Sequence, residues 1–202
     1  MPRSSYHHGD LKNALIQAGT EILSTEGVSA LSLRRVASKA GVSHSAPYAH
    51  FADKQALIAA ISTEGFRLLY KRLLAEVEAD RDDPTRMLVE VAYAYLMFAR
   101  AMPAYFKIMF SGILEKEQEY PDFVDLSKKN FQLLVGLVQQ CQSAGLLQAG
   151  APEVLAVSIW SLVHGFTALL LERQIPGAIL DQYELKALLI QALNQITLVD
   201  IS

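Results

Sequence analysis

Apolar residues recur along this chain at three- and four-residue intervals from near its beginning, a period that predicts helices rather than strands. Leu11, Leu15, Ala18, Ile22 and Leu23 mark one face of a first helix over about Asp10 to Glu26, which Gly27 stops. Leu33, Val36, Ala37 and Ala40 mark a short second helix, capped by Ser32. Gly41 ends it, because glycine enters a left-handed turn without a Cβ penalty. Ser43 then stands as the cap of a third, very short helix to about His50, and Asp53 as the cap of a long one from Lys54 to about Glu78.

Beyond the acidic break Asp80-Arg81-Asp82-Asp83-Pro84, helical periodicity dominates from Met87 to Ala101, and Pro103 starts a short segment from Ala104 to Phe110. Gly112 to Pro121 is charged and turn-like. Further helices are expected from about Phe123 to Ala144, Pro152 to Arg173 and Asp181 to Leu198, the last two separated by Pro176-Gly177. No repeat, low-complexity tract or strand pattern interrupts this series. The expected fold class is all-α: an N-terminal three-helix domain over residues 1–54, joined to a larger helical domain over residues 55–202.

The 202 residues, 51% hydrophobic and 19% charged, are those of an ordinary globular chain. Its one cysteine, Cys141, excludes an intrachain disulfide and a cysteine-based zinc site, and fits a reducing compartment. The opening Met1 to Gly9 has no apolar run, so no export signal and a cytoplasmic location are expected. Val154 to Leu171, eighteen residues without formal charge, reaches the lower edge of a membrane span. It nevertheless holds Ser158, Ser161, His164, Gly165 and Thr167 between two acidic residues, Glu153 and Glu172, so a buried helix of a soluble protein is expected and no membrane partner.

The net charge of −3 argues against nucleic acid until its distribution is considered. Residues 1–54 carry six basic against four acidic residues, a net of +2, while the rest carries 12 against 17, a net of −5. His7, His8, His44 and His50, four of the five histidines, also lie in the N-terminal part. That asymmetry has the sign phosphate binding requires. Two short helices around Gly41-Val42-Ser43 form the pattern of a helix-turn-helix, whose second helix places its N-terminal residues at base edges. Here those residues are His44, Ser45 and Ala46, with Ala49 on the same side and Ser43 at the cap.

Gly41-Val42-Ser43, Tyr48-Ala49-His50-Phe51, Lys54 and Leu57 resemble the core motif of the TetR family of transcriptional regulators. Tyr6-His7-His8-Gly9-Asp10-Leu11-Lys12 resembles the start of one subset of that family, and Trp160-Ser161-Leu162-Val163-His164-Gly165 resembles the Trp-His-Gly signature of the same subset's effector domain. The resemblance implies that Tyr48 and His50 lie near phosphates and that Lys54 contacts one. A helix start, with its free amides and positive potential, suits that role. Ser32, Arg34 and Arg35 are further candidate phosphate contacts. Pro47 departs from the pattern, standing where the family has a buried aliphatic residue. As the fourth helical residue after Ser43 it removes only the first intrahelical bond, a cost below the ~3 kcal/mol of a mid-helix proline.

Tyr93, Met97, Phe98, Met102, Phe106, Met109 and Phe110 make an aromatic and methionine-rich stretch, readable either as plain core or as an adaptable apolar pocket. The resemblance implies an effector site in this domain, with Phe131, Trp160 and His164 as further lining. Trp160 and His164 stand four apart on one helical face, so His164 is either the polar anchor of a pocket or a packing residue at a helix contact beside Gly165. Leu155, Ile159, Leu162, Phe166 and Leu169 form one apolar stripe, and Leu185, Leu188, Leu189, Ala192 and Ile196 a second. Paired across a two-fold axis, as the resemblance implies, they make a four-helix dimer interface.

Catalysis has no support: there is no His-Glu-x-x-His, no glycine-rich phosphate loop and no serine elbow, and Glu115, Glu117 and Glu119 read as a solvated loop. No metal and no cofactor are expected. The leading expectation is a ligand-responsive repressor that binds a palindromic operator as a homodimer and takes a small apolar or amphipathic effector. The other is a regulator acting constitutively or through a protein partner, favoured if the Met97–Phe110 region proves densely filled.

Overall fold

The structure, a computed structural model, describes residues 8–201, so Tyr6 and His7 of the opening motif lie outside it. The described residues are all-helical, without strands: α1 (His8–Glu26), α2 (Leu33–Lys39), α3 (Lys54–Ala79), α4 (Pro84–Ala101), α5 (Pro103–Met109), α6 (Pro121–Ser143), α7 (Pro152–Leu171), α8 (Gly177–Gln182) and α9 (Leu185–Leu193). They form two compact units. Of the described residues, the first holds those up to Phe66 with Pro103–Asp125, and the second holds Arg67–Met102 with those from Leu126 onward. The long helices α3 and α6 each begin in one and end in the other.

In the first unit α1 packs against α2 and α5. Leu15, Ile22, Leu31, Val36, Phe51, Leu57 and Ile61 are fully buried and make its core. Gly19 sets the approach of α1 to α3: a Cβ there would stand 2.8 Å from Ile61 Cδ1. Two of the three expected caps of this unit form, Ser32 Oγ accepting from Arg35 N–H at 3.3 Å and Asp53 Oδ1 from Ala56 N–H at 2.8 Å. Phe66, Phe106, Phe110 and Phe123 interlock edge to face, with ring centroids 5.2–5.5 Å apart.

In the second unit α4 packs against α7 and α9, and α7 against α9. Met87, Leu88, Leu96, Ala99, Ala156, Ile159, Val163, Leu189 and Leu193 are buried there. So is Cys141, whose thiol burial pushes up to about 12, leaving it inert at neutral pH.

The helix expected from Asp181 to Leu198 is two helices. Tyr183 and Glu184 take extended backbone (ψ 138° and 137°), which separates α8 from α9. After Leu193 the chain tightens into turns, Gln195 and Ile196 N–H bonding the Ala192 and Leu193 carbonyls at 3.2 and 3.0 Å, before Leu198 N–H bonds the Leu146 carbonyl at 2.8 Å and Ile201 N–H bonds Asn194 Oδ1 at 3.0 Å.

α7 also departs from expectation. It is long and apolar enough to cross a membrane (mean hydropathy 2.0), yet only 22% of that window is buried. Leu155, Ala156, Ile159, Val163 and Thr167 face the core, while Val154, Val157, Ser158, Ser161 and Leu169 are exposed. A helix apolar on nearly every side has one face more than its own unit covers.

Candidate nucleic-acid interface and the helical-domain cluster

The turn after α2 is closed by two backbone bonds, Gly41 N–H to the Ser38 carbonyl at 3.2 Å and Val42 N–H to the Ala37 carbonyl at 3.0 Å, with Gly41 at φ 69°. This is a Schellman closure, which needs a left-handed residue where Gly41 stands. The chain then runs through tight turns rather than a regular helix. Only Ala46–Ala49 is helical, with 3₁₀ geometry, and Ser43 does not cap it: its Oγ lies 3.0 Å from Ser45 Oγ. Pro47 sits in the first turn of that segment, where its fixed φ fits and its missing N–H leaves no orphan. It is buried, and its carbonyl accepts from His50 and Phe51 N–H at 2.9 Å each.

Burying Pro47 turns the rest of the segment outward. Ser43, His44, Ser45, Tyr48 and Ala49 are exposed, Tyr48 to 61%, and Ala46 is half-buried. Arg34 and Arg35 are exposed on α2, Arg35 paired with Glu26, and Ser32 is engaged as the cap. Lys54 Nζ donates to the Val28 carbonyl at 2.9 Å; an ammonium carries three donors, so two remain for a phosphate. His50 is less available: its Nε2 is buried without a partner among the described residues, and its ring lies 6.3 Å from that of Phe51.

In the second unit the structure gathers four rings. Tyr95 Oη lies 2.7 Å from His164 Nδ1 and accepts from Trp160 Nε1–H at 3.3 Å. Trp160 is 6.0 Å from His164 and 6.5 Å from Phe131, centroid to centroid. Indole nitrogen can only donate, so the Tyr95 proton is left for His164 Nδ1, an arrangement that suits a neutral imidazole. Burial holds the Tyr95 hydroxyl well above the ordinary phenol pKa and lowers that of His164. Sequence reasoning missed Tyr95. The signal was there: it repeats the spacing of Leu88, Val91, Ala92 and Ala99, and a tyrosine on a buried stripe needs a partner for its hydroxyl.

The other expected pocket residues go elsewhere. Phe106 and Phe110 join the four-ring cluster of the first unit, Phe98 is core, and Met102 is 37% exposed. Tyr93 lies under Lys186 Nζ, 5.3 Å from the ring centroid, while that ammonium pairs with Glu90 at 2.6 Å. Met97 Sδ accepts from Arg100 at 3.7 Å. A cleft of about 670 Å³, lined by none of the nine expected residues, opens at Leu170, Leu171, Leu180 and Leu185, with Arg100 and Arg173 among its polar groups. Arg173 holds a left-handed backbone (φ 55°) at the end of α7, where glycine is the usual occupant. Of the two apolar stripes, Leu155, Ile159 and Leu189 are buried within the chain. Leu162, Phe166, Leu185, Leu188, Ala192 and Ile196 are half-buried, and Leu169 is exposed.

Acid should weaken the fold through His164. Its folded pKa is below the ordinary imidazole value, so the unfolded chain binds the proton more readily. The stability this ring contributes is complete above that ordinary value and is lost as pH falls from it through the lowered folded value. Urea unfolding between about pH 7.5 and 5.5 should show this loss in the wild type and a flatter slope in His164→Gln; equal slopes would assign the loss to other groups.

Residues 15–61 match the family described as bacterial regulatory proteins, tetR family, and residues 88–193, just over half of the chain, match the tetracyclin repressor-like C-terminal domain. Among known proteins, the uncharacterized HTH-type transcriptional regulator YobS of Bacillus subtilis (strain 168) is 26% identical over 167 residues, 80% of either chain. A solved protein of unknown function from Rhodococcus sp. RHA1 shares 29% identity over 96% of both chains, with a TM-score of 0.78. A bacterial regulatory protein in the tetR family from Rhodococcus RHA1 shares the fold, with a TM-score of 0.65 at 21% identity, over 78% of this chain and 83% of that one.

Proposed function

The chain belongs to the TetR family of bacterial regulatory proteins, and from that premise we propose that it is a ligand-responsive repressor reading a palindromic operator as a homodimer. Transcriptional regulation through DNA is the family's work; the repressor role, the ligand and the dimer are what we propose for this chain. The observation that carries it is the outward edge Ser43, His44, Ser45, Tyr48 and Ala49, presented by the Gly41 closure and the burial of Pro47. This edge is exposed and mostly polar, and Ser43, His44 and Ser45 stand just ahead of the second element, as base-reading residues do. Residues 1–54 then act as the DNA-binding part and residues 55–202 as the effector-binding and dimerising part.

The exposed face of α7 supports the dimer. One recognition segment reads few bases, and two held one DNA turn apart read a palindrome. A second copy covers Val154, Val157, Ser161 and Leu169 without placing Ser158 and Ser161 in lipid. For the effector, a small apolar or amphipathic molecule, the cluster Tyr95, Phe131, Trp160 and His164 offers ring faces beside one polar anchor. Such a ligand shifts the balance between two conformations by its differential affinity for them. The other reading, regulation without a small molecule, draws on Phe98, Phe106, Ile108 and Met109, which are buried; within the same Met97–Phe110 region Met102 is exposed and Met97 and Phe110 are half-buried.

Fluorescence anisotropy on the protein's own upstream intergenic DNA, over a salt series, tests the reading. Tight binding that beats random DNA and falls steeply with salt is expected. Lys54→Ala with Tyr48→Ala should weaken binding on all sequences and lower the salt slope by about 1–2. Equal binding to both DNAs, unmoved by the variant, overturns it.

A further inference from the structure

Ser38 lies exposed in the last turn of α2, and its hydroxyl has two neighbours. Oγ donates to the Arg34 carbonyl one turn back at 3.1 Å, and the same oxygen lies 3.1 Å from His44 Nε2. A hydroxyl has one hydrogen. With that hydrogen directed at Arg34, the oxygen presents only lone pairs to the imidazole, so the contact closes as a hydrogen bond when Nε2 carries the proton. A neutral ring has a single N–H, and Nδ1 is then a bare acceptor. His44 is exposed within the outward edge, with Ser43 and Ser45 on either side.

In the major groove the groups that can donate to such an acceptor are the exocyclic amines of adenine and cytosine; guanine offers O6 and N7, and thymine O4, all acceptors. We propose that Ser38 is a positioning residue that holds His44 in its Nε2–H tautomer, and that His44 thereby selects an amino base, adenine or cytosine, over a keto base at one position of each half-site. This rests on the DNA-binding reading above and adds to it the polarity of one base contact and the residue that sets it. Without Ser38 the ring is free to turn and to exchange tautomers. Either polarity can then be presented, and discrimination at that position falls while the rest of the interface is kept.

The experiment is selection from DNA with randomised half-sites, followed by anisotropy on the selected sites and their single-base variants at about pH 8. Wild type, Ser38→Ala, Ser38→Thr and His44→Ala are compared, with nitrogen-15 imidazole spectra of the free proteins alongside. Wild type should prefer an amino base at one position per half-site by roughly fivefold, the worth of one net hydrogen bond. His44→Ala should remove that preference and Ser38→Ala should bring it close to parity. Ser38→Thr should restore it, since threonine makes the same bond to the carbonyl four residues back. The spectra should show Nε2–H at His44 in wild type and a mixture in Ser38→Ala. A keto preference, an unchanged preference in Ser38→Ala, or Nδ1–H in wild type overturns the inference. Specific operator binding indifferent at this position overturns it while leaving the regulator reading intact. Absence of any sequence-selective binding overturns both.

Discussion

Truncating Phe51 to alanine is expected to cost about 3–5 kcal/mol of stability and, with it, DNA binding at growth temperature. The ring is 2% exposed, and the core it shares with Leu15, Ile22, Leu31, Val36, Leu57 and Ile61 is small. Little else there can collapse into the space the ring leaves. Its backbone is engaged too: Phe51 N–H bonds the Pro47 carbonyl at 2.9 Å, so the ring anchors the end of the segment that presents His44 and Tyr48. Against a typical total of about 5–15 kcal/mol, such a loss can consume much of the margin. Urea unfolding read by circular dichroism, with anisotropy on operator DNA, gives both numbers. Phe51→Leu, which keeps most of the volume, should lose far less. A loss under about 1 kcal/mol for Phe51→Ala would mean that the site relaxes and that the ring is not the anchor described here.

The second large effect concerns assembly. Arginine at both Val157 and Ser161 should turn a dimer into a monomer in sedimentation velocity and reduce operator affinity by about 10²–10⁴. Both positions lie on the exposed face of α7, so each protomer should fold with unchanged unfolding behaviour. Across a self-complementary interface each arginine meets its own copy or an apolar neighbour, burying charge without a partner. Operator affinity falls because two linked half-site contacts become two separate ones. An unchanged dimer would move the interface elsewhere, with the stripe of Leu185, Leu188 and Ile196 as the next surface to probe.

Local chemistry made much of this legible in the residues alone. Ser32 and Asp53 cap helices because a side-chain oxygen reaches an amide three residues on, and Gly41 closes a helix because its φ is positive. Each event spans a handful of residues. The third helix read less well: Ser43 has a capping side chain, yet its hydroxyl goes to Ser45 Oγ and not to a helix amide, a choice that propensity does not rank. The helical-domain cluster was half legible. Trp160 and His164 share a face by spacing, but the group joining them, Tyr95, is 65 and 69 residues away in sequence. The same holds for Phe106 and Phe110, whose company, Phe66 and Phe123, comes from two other helices.

What the sequence by itself determined is the all-helical class, the helix-turn-helix with its glycine closure and the apolar excess of Val154–Leu171, since all three depend on periodicity, caps and composition within a few turns. Tertiary structure alone decided which face of α7 is core and which is left uncovered. A helix apolar all round carries no internal mark of direction, and only the packing of α4 and α9 against it makes the choice. It also decided that Ser38 meets His44. Six residues separate them, and no periodic rule links them across a turn; the Gly41 closure folds the chain back, so a hydroxyl already bonded to its own helix has only lone pairs left to offer.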